Sequence, residues 1–282
     1  VPMGDNGEYQ DRVFGKDALW DIIDMHTRWY DQQLKSIDTG IDEEPPIKLF
    51  VMGANEWRYE HEWPLARTEW VKFYLHSDGD AVGDGGWLST SFPSFGESTD
   101  GFTYDPNNPV PSWGAQYQSF DLCGPRDRTE IEQRDDVLTF TTESLTTDVE
   151  VTGPISMTIW ASSDALDTDF TVALVDVEPD NKAIILCEGI VRARFRNGTD
   201  NPALMTPGEI YEFEIDMWDT SNLFKASHRI RIEISSSNFP RYNRNLNSGN
   251  PIATDTQITI ANQTIYHDSE HPSVLTLPVI PR

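Results

Sequence analysis

Alternation of apolar and polar residues in the middle of the chain constrains the fold more than any other feature. Three consecutive runs show a period of two: Ile155–Ala161, Phe170–Val177 and Ile184–Phe195. This period, together with enrichment in β-branched residues, is typical of half-buried strands. The sequence Glu178-Pro179-Asp180-Asn181 between the second and third runs favours a turn. The stretch from 154 to 196 is therefore predicted to form a β meander.

Runs of strand character continue on both sides of this stretch and are separated by Gly-, Pro-, Asn- and Asp-containing turn sequences. They are Ile47–Met52, Lys72–His76, Val137–Thr141, Ile210–Met217, Arg229–Ser235, Gln257–Tyr266 and Val274–Leu277. Many short strands with no helices between them are typical of an antiparallel sandwich or jelly roll. The predicted fold is therefore mainly β, an antiparallel jelly-roll sandwich.

One helix is predicted ahead of the strands, from Asp17 to Lys35. Its apolar residues recur at helical spacing and form a broad stripe, with Asp17 at the N-cap or in the first turn. The sequences 38–40 (DTG) and 45–46 (PP) end it and form a linker. A stripe this wide predicts burial on more than one side. We interpret the helix as the last piece of a different, helix-containing domain.

The charge balance excludes two classes of partner. The 282 residues carry a formal net charge of −26, which repels nucleic acid and anionic membrane surfaces. No run of 18 apolar residues predicts a membrane span. An acidic solubility surface is the favoured interpretation of the charge, and adaptation to high salt is the alternative. Because the chain starts without Met or a signal-peptide pattern, we expect a fragment or a processed product.

A search for catalytic motifs assigns no catalytic residue. A serine-hydrolase elbow needs GxSxG, and neither Ser89 in GWLST nor Ser94 in FPSFG fits it. Nucleotide-binding and HExxH motifs do not occur, and the six histidines are scattered, so each is expected to be structural. Two cysteines do not make a disulfide framework, and Cys187 is expected to be a buried thiol. No cofactor and no metal are predicted.

Three aspartates in a short segment allow two interpretations. Hard oxygen ligands at this spacing resemble a calcium loop, but the Gly and the terminal Glu of an EF-hand are missing. The favoured alternative is ion pairing with three arginines expected on one strand face, since a row of like charges needs compensating carboxylates. The two groups are Asp164, Asp167 and Asp169, and Arg192, Arg194 and Arg196.

Five tryptophans allow a carbohydrate-binding interpretation. A platform of aromatic rings could stack on sugars, although tryptophans at domain edges more often serve packing or interfaces. The residues are Trp57, Trp63, Trp70, Trp87 and Trp113. A free-standing, carbohydrate-type binding module therefore remains as the alternative function.

Six segments, taken together and in order, resemble one protein family. They are FVMGANEWRYEHEWP (50–64), YDPNNPVPSWG (104–114), RDDVLTFTTESLTTDVEVTGP (134–154), DTDFTVALVDVEPDNKA (167–183), EGIVRARFRNG (188–198) and SHRIRIEISSSNFPRYNRNLNSG (227–249). The chain is similar to the C-terminal part of the cocaine esterase and X-prolyl dipeptidyl peptidase (CocE/NonD) family of serine hydrolases. The resemblance covers nearly the whole chain.

The resemblance implies an organisation in which residues 1–44 are the tail of an α/β-hydrolase domain, with helix 17–35, and residues 45–282 are the jelly roll. It also implies that the Ser-His-Asp triad lies upstream of the helix, so that the partner of this chain is the missing hydrolase half. The substrate of the parent would be a small ester, an amide or an X-prolyl peptide. The chain alone is expected to be inactive as an esterase and to self-associate through the apolar surface that the missing half would cover.

One loop is predicted to face the substrate. Three prolines precede the stretch from Trp113 to Pro125, and Gly124-Pro125 closes it, which favours a long loop fixed at both ends. The resemblance implies that this loop reaches the hydrolase domain and lines the acyl pocket. The candidate pocket residues are Tyr117, Gln118, Ser119 and Phe120, which offer aromatic walls and polar groups. The alternative is an interface loop that never meets substrate.

Overall fold

Strands dominate the computed structural model, which describes residues 6–116 and 121–282. The two short N-terminal strands are β1 (Glu8–Tyr9) and β2 (Arg12–Val13), and they are followed by the helix α1 (Ile22–Lys35). The remaining strands are β3 (Ile47–Val51), β4 (Glu56–Glu60), β5 (Glu69–His76), β6 (Gly86–Ser89), β7 (Asp100–Tyr104), β8 (Leu138–Thr141), β9 (Val149–Ser163), β10 (Asp169–Val177), β11 (Ala183–Arg192), β12 (Tyr211–Phe224), β13 (Arg229–Ser235), β14 (Ala261–Tyr266) and β15 (Val274–Ile280).

The strand pairing is that of the predicted jelly-roll sandwich. The order along the hydrogen-bonded path is β11-β10-β13-β8-β6-β5-β15-β9-β14-β7, and β12 also pairs with β9. Every pair on this path is antiparallel except β6 with β8. The predicted strands are found with ends within four residues of the expected ones, with two exceptions. β9 begins six residues before the expected start at Ile155, and β12 runs seven residues beyond the expected end at Met217.

The predicted meander is wrong in one respect. β10 and β11 form a hairpin across the expected turn, where Glu178 N–H donates to the Lys182 carbonyl at 2.9 Å. β9, however, pairs with β12, β14 and β15, whereas β10 pairs with β11 and β13. Because β9 is 15 residues long, it supports partners from three distant parts of the chain, which local alternation cannot indicate.

The core lies between the two layers of strands. Ile155, Met157 and Ile159 of β9 point inward, and Phe170 of β10 meets Phe213 of β12 with ring centroids 4.8 Å apart. The predicted alternation of β9 is confirmed. β10 instead is buried along its whole length, because the N-terminal segment and residues within 113–116 and 121–136 cover its outer face. Burial of such apolar surface contributes about 25 cal/mol per Å² to stability.

The helix is shorter and more exposed than predicted. It begins after Asp21, whose carboxylate accepts from the N–H groups of Ile23 and Asp24, whereas Asp17 lies in a separate 3-10 turn. None of its residues is buried, so the expected burial on more than one side is wrong for this chain. Within the described part of the chain, no helix is long and apolar enough to span a membrane.

Candidate functional site

The loop predicted to face substrate is closed at its base by backbone hydrogen bonds. Ala115 N–H donates to the Gly124 carbonyl and Gly124 N–H donates back, both at 2.8 Å. Gly114 N–H also donates to the Leu122 carbonyl at 2.7 Å. The expectation of a loop fixed at both ends is therefore met. The four candidate pocket residues, Tyr117, Gln118, Ser119 and Phe120, fall between these anchors in sequence and lie outside the described residues.

Two glycines allow this base to pack closely on both sides. Gly114 and Gly124 both have φ 89°, a conformation that side chains disfavour. A Cβ on Gly114 would lie 2.3 Å from Cγ2 of Ile185, and one on Gly124 would lie 2.3 Å from Cε1 of Tyr9. The loop base is thus held directly between the sandwich and the N-terminal segment.

Two arginine side chains connect the loop base to the sandwich. The guanidinium of Arg126 lies 4.8 Å from the ring centre of Trp113, within the range of a cation–π contact. On the other flank, Arg241 donates to Oε1 of Gln116 at 3.4 Å and forms an ion pair with the buried Glu188. The last described residue before the candidate pocket residues is therefore tied to strand β11.

The N-terminal segment contacts the other end of the loop. The Tyr9 hydroxyl lies 2.7 Å from Sγ of Cys123, and Asp11 N–H donates to the Pro125 carbonyl at 3.1 Å. The Asp11 carboxylate in turn accepts from Asp127 N–H at 2.8 Å. Burial, and next the bond to Cys123, raise the pKa of Tyr9. The loop and the segment preceding the helix form one structural unit.

The N-terminal segment is itself fixed to the sandwich. Arg12 donates to the buried carboxylate of Asp176 at 2.6 Å and to Glu178 at 3.2 Å. Phe14 is buried and packs edge-on against Phe50, with centroids 5.7 Å apart. A buried charge pair and a buried ring hold the segment in place. Because the loop base is bound to this segment, these contacts also fix its position on the sandwich.

An apolar face extends from the N-terminal segment across the helix and the β3–β4 hairpin. Its exposed side chains are Trp20, Ile22, Ile23, Trp29, Tyr30, Tyr59 and Trp63. The Lys48 ammonium lies 5.2–5.6 Å from three of the aromatic rings around it, and a groove of ≈ 700 Å³ runs between the helix and the hairpin. The expected exposure of apolar surface in this region is confirmed. Large exposed apolar patches mark protein or membrane contact sites or ligand-binding grooves.

The aspartate cluster forms ion pairs. Arg192 donates to Asp169 at 2.7 and 2.9 Å, and Arg194 donates to Asp167 at 2.8 Å. Asn245 bridges the two carboxylates at 2.9 and 2.8 Å. Burial raises the pKa of Asp169, and the hydrogen bond from Arg192 opposes that shift. The ion-pairing interpretation is confirmed for these two aspartates.

The other members of the cluster differ from the prediction. The strand β11 ends at Arg192, and Arg194 lies in a 3-10 turn, so the three arginines do not share a strand face. Arg196 donates to the carbonyls of Ala193 and Ala203. Asp164 is exposed and accepts two hydrogen bonds from Asn262. The structure, over residues 6–116 and 121–282, contains no group of His, Cys, Asp or Glu side chains arranged to hold a metal ion.

A second buried charge cluster covers the outer face of β13, and sequence reasoning did not find it. Arg128 binds Glu233 at 2.6 Å, and Arg231 binds Glu132 at 2.5 Å. Burial, and next the charge of Glu233, raise the pKa of Glu132 to about 7. The alternation RIRIEIS in 229–235 was the available signal, because charges on the non-core face of a buried strand require partners.

The five tryptophans have mixed environments. Trp63, Trp70 and Trp87 are exposed. Trp57 packs between Trp20 and Phe50, at 5.3 and 5.2 Å, and Trp113 packs under Arg126. The contacts of Trp57 and Trp113 support a packing role for these two residues, which was the alternative to sugar stacking.

Comparison with known proteins identifies the sandwich. The family described as "X-Pro dipeptidyl-peptidase C-terminal non-catalytic domain" matches residues 39–276. The chain belongs to this family. The resemblance noted in the sequence is thereby confirmed, as is the interpretation of the jelly roll as the C-terminal, non-catalytic region of CocE/NonD-type hydrolases.

The relatives of this family member are longer proteins. The chain is 47% identical to "Cocaine esterase" of Rhodococcus sp. (strain MB1 Bresler) over 98% of its length and 49% of the esterase. It is 25% identical to a "Putative Xaa-Pro dipeptidyl-peptidase" of Bacillus cereus, over 75% of the chain and 33% of that protein. It superposes on a solved α-amino acid ester hydrolase with a TM-score of 0.76 at 26% identity, covering 89% of the chain and 44% of the hydrolase. The chain thus spans about half the length of cocaine esterase.

Proposed function

We propose that this chain is the C-terminal accessory region of a serine hydrolase whose catalytic half covers the apolar face. The parent would act on small acyl esters, amides or X-prolyl peptides, and the names of the relatives include esters and X-prolyl peptides. Acyl transfer would proceed through a Ser-His-Asp triad contributed by the other half. The family match and the exposure of Trp20, Trp29 and Tyr30 support this assignment.

The division of the chain follows from the same proposal. Residues 1–44 are the tail of the hydrolase domain, and residues 45–282 are the jelly roll. Two observations support a boundary here: the matched domain begins at residue 39, and α1 buries none of its side chains. A helix with an apolar stripe and no buried residue requires a covering partner.

The loop between Ala115 and Gly124 forms part of the wall of the acyl pocket. The observation that carries this proposal is the attachment of the loop base to the N-terminal segment, through Tyr9 and Asp11. That segment precedes the matched domain and leads into the apolar face. A loop attached there lies on the side at which the catalytic half would dock, and Tyr117 and Phe120 would supply aromatic walls.

Substrate discrimination in the full-length parent tests the role of the loop. Tyr117→Ala and Phe120→Ala are compared with Trp70→Ala, an exposed aromatic control on β5. kcat/KM is measured for two esters with acyl groups of different size. Pocket lining predicts a change of about 10-fold in the ratio between the two substrates, since a contact made by only one acyl group is worth about 1–3 kcal/mol.

The alternative role as an interface loop gives a different result. Both substrates would then lose kcat/KM equally, and the loss would follow a fall in melting temperature. An unchanged ratio in both loop variants contradicts pocket lining. The Trp70→Ala variant is expected to leave the ratio of kcat/KM between the two esters unchanged. It therefore controls for the general effect of removing an exposed aromatic ring.

A further inference from the structure

Three side chains near the paired strands β5 and β6 form a nucleophile–base–carboxylate series. Oγ of Ser89 lies 3.0 Å from Nε2 of His76, and Nδ1 of the same ring lies 3.0 Å from Oε2 of Glu97. In the tautomer that carries its proton on Nδ1, the ring donates to the carboxylate and Nε2 can accept from the serine hydroxyl. Each link is within the distance that activates a serine.

Two paired strands position the serine and the histidine. His76 is opposite Trp87 and Tyr74 is opposite Ser89, while the intervening Leu75 and Leu88 point into the core. The His76 ring stacks on Trp87 with centroids 5.5 Å apart and planes at 9°. The imidazole is therefore buried and fixed, whereas Ser89 is only half-buried and can be reached from solvent.

The carboxylate is also held in place. Ser94 N–H donates to Oε1 of Glu97 at 2.6 Å. Behind it, Nδ1 of His267 lies 3.7 Å from Oε2 of Glu97, and Nε2 of His267 lies 2.9 Å from the buried Asp100. Glu97 is thus enclosed by two imidazoles and a backbone donor. A base whose orientation is fixed by such a carboxylate matches the arrangement in nucleophilic catalysis.

Two exposed aromatic rings pack on residues next to the serine, Trp87 on His76 and Phe92 on Tyr74. Trp87 and Phe92 are 41% and 59% exposed. Phe92 packs edge-on against Tyr74, the residue opposite Ser89, at 5.2 Å. Ser91 N–H donates to Oγ of Ser89 at 3.1 Å, and this local bond fixes the position of the serine hydroxyl.

We propose that Ser89 is a nucleophilic serine that accepts acyl groups from activated aryl esters. Its Oγ forms a bond to the ester carbonyl carbon, and the bond from that carbon to the aryl oxygen breaks. The serine proton passes to Nε2 of His76 and then to the leaving phenolate. The exposed rings favour an apolar acyl or aryl group. The products are an acyl-serine and a phenol, so no other reactant is needed.

This inference goes beyond the accessory role and does not depend on it. The expectation that the chain alone has no esterase chemistry rested on the missing GxSxG elbow, whereas Ser89 lies at the end of a strand. Because a phenolate is a better leaving group than a serine alkoxide, the acyl-serine is expected to form from an activated aryl ester faster than it hydrolyses. A burst of phenolate approaching one equivalent per chain is the predicted signature.

The test uses the 282-residue chain with p-nitrophenyl acetate. Nitrophenolate release is followed by absorbance, and peptide mapping by mass spectrometry locates the acetyl group. Ser89→Ala is expected to abolish the burst, and His76→Asn is expected to slow it by about 100-fold or more, the usual contribution of a general base. Ser91→Ala is the matched control, since it removes a neighbouring hydroxyl but retains the backbone donor.

Four results would overturn the proposal: no acetyl group on the unmodified chain, acetyl groups spread over several serines or lysines, a burst that persists in Ser89→Ala, or one unchanged in a folded His76→Asn variant. Circular dichroism establishes folding of each variant. If His76→Asn does not fold, the map of the unmodified chain decides. The ratio of kcat/KM in the loop variants reports on the acyl pocket and not on Ser89. The proposal for Ser89 and the proposed function can therefore fail independently.

Discussion

Removal of the Asp169 carboxylate should destabilise the chain strongly. Its side chain is 2% exposed and accepts two hydrogen bonds from Arg192 and one from Asn245. In Asp169→Ala, Arg192 keeps its charge in a site where its side chain is only 16% exposed. Breaking a buried ion pair at one partner costs about 3–5 kcal/mol, because the remaining charge stays desolvated.

Because Arg192 also donates to the Asn243 carbonyl at 2.9 Å, part of its hydrogen bonding survives the substitution. We therefore expect Asp169→Ala to lower the free energy of unfolding by about 3 kcal/mol, at the low end of that range. At about 2 °C per kcal/mol for a chain of this size, the melting temperature should fall by about 6 °C. Urea unfolding followed by circular dichroism measures the free energy directly, provided that the slope with denaturant is unchanged.

Asp164→Ala is the matched control for this substitution. Asp164 belongs to the same acidic segment but is exposed, and its partner Asn262 is neutral, so the loss should be about 1 kcal/mol or less. Unchanged stability of Asp169→Ala together with loss of calcium binding would refute the ion-pair interpretation. Equal losses for the two variants would show that burial does not set the cost.

Three further predictions concern charge and the apolar face. The folded-state pKa of Glu132 of about 7 lies above the ordinary 4.5, so its contribution to stability is full below pH 4.5 and is lost as pH rises through 7. The free energy of unfolding of Glu132→Gln should therefore rise by about 2–3 kcal/mol relative to that of the unmodified chain as pH goes from 5 to 8. Urea unfolding at each pH measures this difference, and a constant difference contradicts the prediction. Sedimentation should show self-association that Trp29→Glu weakens, and a strictly monomeric chain counts against the apolar face as a docking surface. The melting temperature should not rise from low to molar salt, as it would under adaptation to high salt.

The sequence was sufficient to predict the fold class and most of the strands, because alternation is a local signal. The short strands β1, β2, β4, β6 and β7 were not among those predicted. It predicted Ile155–Ala161 and Arg229–Ser235 well, since each presents an apolar face to the core. The sequence prediction placed the start of the helix at Asp17, because apolar residues at helical spacing also occur before the true N-cap, Asp21. Of the candidate site it predicted a loop fixed at both ends, whereas the role of residues 117–120 stays a prediction.

What the sequence could not indicate are contacts that the topology alone brings together. His76, Ser89 and Glu97 lie on three separate stretches, and no fixed spacing relates them, because the pairing of β5 with β6 sets the first contact and the loop before β7 sets the second. Search by motif therefore rejects Ser89, since the elbow motif describes a different backbone geometry. The same reasoning applies to Tyr9 and Cys123, which are 114 residues apart and meet at the base of the loop. In a sandwich built from long-range strand pairs, the pairing register decides which side chains meet. Each of these contacts can therefore be identified only once the strand order is known.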